Sequence, residues 1–298
     1  MSQTFVIIGA GLTAGKAAEE LREVGFDGQV IVYGSEHHLP YERPPLSKGY
    51  LLGNDPIDSA FVHTRDWYET NDVDLRLGTQ VTGIDVTSHA VRTRDATQSY
   101  DRLLLATGAS PRRLAVADRG GAPVAYLRTI EDSDRLKAAF TAGRRIVIVG
   151  GGWIGLETAA AARLADASVT VLESLDLPLL RVLGPEVAAS FASLHEEHGV
   201  DLRTAVKVTD IARDGDQAVV RLGDGESLPA DLVVVGVGAA PNVELAEAAG
   251  LKTDNGVVVD EYLRTSEPDV LAAGDVANAY HPVLDRHLRV EHWNNAIE

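Results

Sequence analysis

The 298-residue chain contains no cysteine, one methionine and five phenylalanines. Without cysteine there can be no disulfide, no zinc site built on thiolates, no iron–sulfur cluster held by the chain's own sulfurs and no catalytic thiol pair. Basic residues are the next shortage. The 27 Lys and Arg face 44 Asp and Glu, for a formal charge of -17. So acidic a chain speaks against nucleic acid or an anionic membrane as partner, since both are held through basic surfaces. No apolar run approaches the ~20 residues that cross a bilayer. The start, MSQTFVIIGAG, enters an apolar segment with no basic stretch before it, so no signal peptide is expected and a cytoplasmic, reducing setting is.

What is present is ordinary globular material, 45% hydrophobic and 24% charged, long enough for about two domains. An internal repeat organises it. Phe5 to Gly34 reads FVIIGAGLTAGKAAEELREVGFDGQVIVYG, and Ile146 to Ser174 reads IVIVGGGWIGLETAAAARLADASVTVLES. Each has an apolar strand, a glycine turn, an alanine-rich helix and a second strand, which is a βαβ unit. Continuous apolar runs of this length suit strands buried on both faces of a parallel sheet. RLLLATG (102–108), LVVVGVG (232–238) and VLAAGD (270–275) read as further strands of that kind. The alternating stretches 81–95 and 217–231 read as antiparallel meanders, and residues 186–198 as a helix stopped by Gly199.

Glycine turns between strand and helix suit a pyrophosphate. In the first copy Gly9 allows the tight turn, Gly11 lets a phosphate approach the backbone, and Gly15 supplies a small residue for close packing, one place later than the plain GxGxxG spacing. In the second copy Gly150, Gly152 and Gly155 keep the plain spacing. One such turn is weak evidence; two, each inside a whole βαβ unit, imply two dinucleotides. Glu173 ends the second strand of the later copy, where a carboxylate meets ribose hydroxyls and repels a 2′-phosphate. NAD is therefore expected over NADP. In the first copy Gly34 stands at that place, and Ser35 and Glu36 follow it.

YERPPLSK (41–48), LLLATG, GGGWIGLE, LAAGD and VEHWNNAIE, in this order, resemble the FAD-dependent, NADH-oxidising ferredoxin reductases, relatives of rubredoxin reductase and apoptosis-inducing factor. The resemblance covers the whole chain. It implies an α/β fold of two Rossmann-like dinucleotide-binding domains, three-layered, with antiparallel meanders. The FAD domain would be split, 1–112 and 241–298, around an NADH domain at 113–240. It implies hydride passed from NADH to the flavin N5, then single electrons to a [2Fe–2S] ferredoxin serving a P450 or Rieske-type oxygenase. Members of the family usually carry roughly a hundred further residues as a C-terminal interface domain, which is expected to be absent here. An NADH oxidase, another small-molecule reductase, or a redox-sensing flavoprotein like apoptosis-inducing factor would share the same cofactors. A monomer or weak dimer is expected.

On the FAD side the resemblance assigns the turn Gly9, Gly11, Leu12, Thr13 and Gly15, with Thr13 at the pyrophosphate and Ser35 or Glu36 at the ribose. Val81 falls near the adenine, with Ala106, Thr107, Gly108 and Arg128 at further contacts. Gly274 and Asp275 meet the ribityl or phosphate part, and Glu291, His292 and Trp293 the flavin edge. On the NADH side it assigns Gly150, Gly152, Trp153, Ile154, Gly155, Glu157, Glu173, Gly236 and Gly238. Lys48 is implied beside the flavin N5 and paired with Glu157 across the domain cleft. Together Arg43 and Lys48 read as flavin-site cations on a loop stiffened by Pro44 and Pro45. HEEH at 195–198 spaces its histidines by three, unlike a zinc helix, and reads as a solvated face.

Overall fold

The computed structural model describes residues 3–297; Met1, Ser2 and Glu298, the last residue of the VEHWNNAIE motif, lie outside it. The chain divides into two compact units. The first holds the N-terminal segment to Arg43, then Asp58–Ser110, then the segment from Ala240 onward; the second holds Pro44–Ile57 and Pro111–Ala239. The expected span 1–112 includes residues 44–57, which by their packing join the second unit.

Five parallel strands form the centre of the first unit, in the order β19-β7-β1-β2-β3: β1 Thr4–Ile8, β2 Gln29–Tyr33, β3 Val73–Arg76, β7 Arg102–Leu105 and β19 Val270–Ala272. Alternation along the strands sends side chains to two faces. Ile7, Val30 and Val32 pack with Ala14, Ala18 and Tyr68, from α1 (Leu12–Glu23) and α3 (Arg65–Thr70). Val6, Ile8, Ile31, Tyr33, Leu103 and Leu105 pack on the other side against Val81, Ile84 and Val91. Those belong to the meander β4 Val81–Asp85, β5 Ala90–Thr93 and β6 Thr97–Ser99. The short α8 (Glu244–Ala248) and a small sheet of β18 (Val257–Val259), β20 (Ala277–His281) and β21 (Arg286–Leu288) complete this unit.

The second unit repeats the plan. Its parallel sheet runs β12-β11-β10-β16-β9: β9 Val124–Ala125, β10 Arg145–Val149, β11 Ser168–Leu172, β12 Val200–Arg203 and β16 Leu232–Val235. One face packs on the meander β13 Val208–Asp214, β14 Gln217–Leu222 and β15 Ser227–Ala230. Next to β10 and β11 lies α6 (Trp153–Leu164), and α5 (Ile130–Ala139) packs with α2 (Gly49–Leu52). A short α4 (Ala115–Asp118) sits on β13. The chain changes units inside β8 (Ala109–Pro111) and β17 (Ala239–Pro241).

The helix expected at 186–198 begins earlier: α7 spans Leu180–Glu197 and bends where Gly184 leaves helical geometry before Pro185. That Gly-Pro pair reads as a stop in the sequence, yet the chain resumes the helix after it, with Pro185 in the first turn, where its missing N–H costs nothing.

Candidate functional site

Both glycine turns sit at the carboxyl ends of a parallel sheet, where open α/β folds bind ligands. Each leads into a twelve-residue helix, α1 after Gly11 and α6 after Gly152. Among the described residues neither helix has a side-chain hydrogen bond at its N-cap, nor an acid in its first turn. Of the other six helices, α3 and α5 are capped by side chains, Thr64 accepting from the Trp67 amide and Thr129 and Asp132 forming a full capping box; α2, α4, α7 and α8 are not. The first N–H groups of α1 and α6 are left for an anion from outside.

In the first unit three turns meet. Gly9 has φ +114, and a β-carbon on it would lie 2.1 Å from the Ala106 carbonyl oxygen. Gly274 has φ +73, and a β-carbon there would lie 2.3 Å from Thr13 Oγ1. The Gly9–Gly15 turn, the Ala106–Gly108 segment and the Gly274–Asp275 turn therefore touch one another beyond β1, β7 and β19. Gly11 has nothing within 4 Å of its missing side chain, so its face opens on the helix N-terminus. That cradle fits a pyrophosphate.

The packing role expected of Gly15 falls to Ala14, which is fully buried and lies in the register of Gly155. Gly15 instead makes room for Val62 and Pro40. The Val81 side chain is buried in the core at 5% exposure, so it leaves only its backbone for an adenine. Ser35 is exposed, and Glu36 is held by two partners: its Oε2 accepts from the Tyr41 hydroxyl at 2.6 Å and its Oε1 from Arg43 Nη2 at 2.7 Å. Arg43 also stacks over the Tyr41 ring. Arg43 thus belongs with Glu36 beyond β2 in the first unit, while Lys48 belongs to the second. Arg128 likewise lies in the second unit, its amide donating to Asp132 Oδ2.

The second cradle is tighter. Gly150 has φ +107 with the Gly236 carbonyl 2.3 Å from a β-carbon, and one on Gly155 would sit 1.9 Å from the Gly150 oxygen. Gly238 accepts from the Arg112 amide. Glu173, 9% exposed, accepts at Oε2 from the Gly151 amide at 2.7 Å and at Oε1 from the Leu175 amide at 2.8 Å. Trp153 and Ile154 are exposed at the helix start, Trp153 edge-on to Phe191.

Lys48 Nζ lies 2.8 Å from Glu157 Oε1. The pair expected across a cleft is internal to the second unit, because residues 44–57 pack there. Two bonds fix that segment to α5: Ser133 Oγ donates to the Leu46 carbonyl at 2.8 Å, and the Tyr50 hydroxyl donates to Asp134 at 2.5 Å, which pushes the Tyr50 hydroxyl up to about 12.

Three residues escaped the sequence reading. Asn242 braces the ATG segment: its side-chain amide donates to the Thr107 carbonyl, and the Thr107 hydroxyl donates to the Asn242 carbonyl, both at 2.8 Å. Arg289, with its side chain 8% exposed, pairs with Glu291 at 2.5 Å and donates to the Asp275 carbonyl at 3.3 Å. It thereby ties the segment carrying His292 and the half-exposed Trp293 to the Gly274–Asp275 turn. Ser47 bonds Glu157. An arginine two residues before Glu291 was the available signal for Arg289; nothing local marks Asn242.

Residues 3–298 match the family model described as pyridine nucleotide-disulphide oxidoreductase. The chain is 42% identical over 305 residues to putidaredoxin reductase CamA of Pseudomonas putida, across 100% of this chain and 72% of that protein. It is 43% identical to the ferredoxin–NAD(+) reductase component of the anthranilate 1,2-dioxygenase system of Burkholderia cepacia, across 98% of this chain and 72% of that one. The crystal structure of a covalent putidaredoxin reductase–putidaredoxin complex matches with a TM-score of 0.96 at 42% identity, covering 99% of this chain and 72% of the other. The chain belongs to the pyridine nucleotide-disulphide oxidoreductases and, within them, to the FAD-dependent ferredoxin reductases.

Proposed function

We propose that the chain is an NADH-dependent flavoprotein reductase that delivers electrons to a [2Fe–2S] ferredoxin serving a P450 or Rieske-type oxygenase. The observation that carries this reading is the pair of glycine cradles, one per unit, in a chain 42% identical to putidaredoxin reductase and 43% identical to the ferredoxin–NAD(+) reductase component of the anthranilate 1,2-dioxygenase system. Bound FAD would supply the conversion of a two-electron donor into one-electron transfers.

In the first unit, Gly11 and Thr13 hold the FAD pyrophosphate at the α1 N-terminus, with Leu12 beside them. Ala106–Gly108 and Gly274–Asp275 line the same cradle, and Glu36, steadied by Tyr41 and Arg43, takes the ribose hydroxyls. Arg289 and Glu291 fix the segment that presents His292 and Trp293. In the second unit, Gly152, Gly236 and Gly238 leave room for the NADH pyrophosphate. Glu173 is spaced for ribose hydroxyls, and its charge disfavours a 2′-phosphate, which supports NADH over NADPH. Lys48 provides a cation for charge that develops during reduction, and Glu157 keeps that cation in place.

Anaerobic oxidation of NADH with and without a [2Fe–2S] ferredoxin tests the reading. Bleaching of the flavin by NADH, followed by reduction of the ferredoxin, is expected. Bleaching without ferredoxin reduction would leave the cofactors and remove the acceptor. With NADPH in place of NADH, bleaching should slow by ~100-fold, since like charges brought together cost several kcal/mol and each ~1.4 kcal/mol is about tenfold.

A further inference from the structure

Ser47 is 4% exposed, and its hydroxyl donates to Glu157 Oε2 at 2.5 Å. The other carboxylate oxygen meets Lys48 at 2.8 Å. Two adjacent residues of one turn thus hold the two oxygens of one carboxylate. A hydroxyl has a single proton to give, and its other acceptor in reach, the Pro44 carbonyl, is farther at 3.3 Å. The two contacts on Glu157 differ in kind. Lys48 has 54% of its side chain exposed, and an ion pair so open to water is screened and holds geometry poorly. Ser47 is buried, its side chain is short, and the residues just before it are anchored: Pro44 and Pro45 have fixed φ, and the fully buried Ser133 binds the Leu46 carbonyl.

We propose that Ser47 is a positioning residue for NADH-dependent reduction: its hydroxyl fixes the Glu157 carboxylate so that the remaining oxygen aims Lys48. This rests on the functional reading above, in which Lys48 and Glu157 serve the reaction.

The test uses the flavin-loaded protein and the variants Ser47→Ala and Ser47→Thr. One readout is stopped-flow reduction of the flavin by NADH. The other is the NMR spectrum of the lysine side chains, practicable because the chain has only Lys16, Lys48, Lys137, Lys207 and Lys252. In Ser47→Ala, reduction should slow roughly tenfold, the scale of one hydrogen bond to a charged group. The Lys48 resonance should shift toward those of the other four. Ser47→Thr, which keeps the hydroxyl, should restore both. A wild-type rate and Lys48 resonance in Ser47→Ala would overturn the proposal. So would loss of FAD alone, with the loaded fraction behaving as wild type. If Ser47→Ala does not fold, Ser47→Cys, close in size and a poorer donor, replaces it with the same expectations. A wild-type flavin that NADH does not bleach would remove the functional reading itself, and the proposal with it.

Discussion

Beyond β2 the chain places Gly34 and delays its acid to Glu36, while beyond β11 it places Glu173 at once. The middle residues of the two glycine turns differ in step. In the first turn the middle residue is Ala10, and a β-carbon on Gly34 would lie 2.6 Å from the Ala10 β-carbon. In the second it is Gly151, and a β-carbon there would lie 3.0 Å from Glu173 Oε2. Turn and strand end share one small volume, and a side chain can occupy it from one side only. The second unit fills it with a carboxylate that bonds the turn itself; the first fills it with a methyl group and places its acid, Glu36, farther along the chain, with Tyr41 and Arg43 to steady it. The same backbone is thereby adapted to two dinucleotides by exchanging which side of the contact is glycine.

The largest expected effect breaks the shared backbone. Gly9→Ala puts a β-carbon into the Ala106 carbonyl at a positive φ, so a loss of ~4 kcal/mol or more is expected, together with loss of bound flavin. Gly11→Ala, with open space around it, should unfold at the wild-type temperature and yet retain FAD poorly. Thermal unfolding and flavin absorbance separate the two variants, and equal stabilities would contradict the described turn.

The exchange itself is the next target. Gly34→Ala should cost ~1–3 kcal/mol through overpacking against Ala10. Adding Ala10→Gly should recover most of that, and a double-mutant cycle in denaturant measures the coupling. Independent, additive effects would show that the two positions do not share the space.

The two acids should then differ in weight. Glu173→Ala strands the Gly151 and Leu175 amides, at a cost of ~1–3 kcal/mol, and weakens NADH binding. Glu36→Ala releases a partly exposed pair with Arg43, worth ~1 kcal/mol or less, and weakens FAD retention alone. Calorimetric titration with NADH should see only the first of them.

The smallest effect concerns the opposite ends of the sheets. Asp101 accepts from the Thr4 amide ahead of β7, and Asp231 accepts from the Arg145 amide ahead of β16, at 2.7 and 2.8 Å. Only Asp231 adds a bond from the Arg145 guanidinium, at 3.2 Å. That side chain, with the Arg145 amide, holds the Asp231 carboxyl below its ordinary 3.8. A carboxyl lowered by folding adds stability that is present above its unfolded value and is lost as pH falls through the lower folded value. Asp231→Asn should therefore flatten the fall in melting temperature below about pH 4 while costing ~1 kcal/mol at neutral pH. An unchanged acid limb would deny the contribution.

The sequence displayed what depends on neighbours in the chain. Both βαβ units, the strands at 102, 232 and 270, and the glycine turns follow from apolar runs and glycine spacing a few residues long. It concealed what depends on partners far away. Leu46 and Ser133 are 87 residues apart, Ser47 and Glu157 are 110 apart, and Thr107 and Asn242 are 135 apart. The allegiance of residues 44–57 rests on the first two of these contacts, so the loop read as part of the first unit. Arg43 and Lys48, five places apart in one motif, fall in different units, and the division between Arg43 and Pro44 leaves no mark in the sequence. Gly15 drew the eye as the third glycine, when a small residue of either kind, here Ala14, satisfies the close approach.

That division has a temporal side. The chain crosses between units after Arg43, Ile57, Ser110 and Ala239. On the ribosome the inserted unit has all its strands once residue 235 has emerged, whereas the sheet begun by Thr4 waits for its edge strand at Val270–Ala272. The first part synthesised is thus the last completed, and the opening hundred residues must remain competent to fold while a whole neighbouring unit is made.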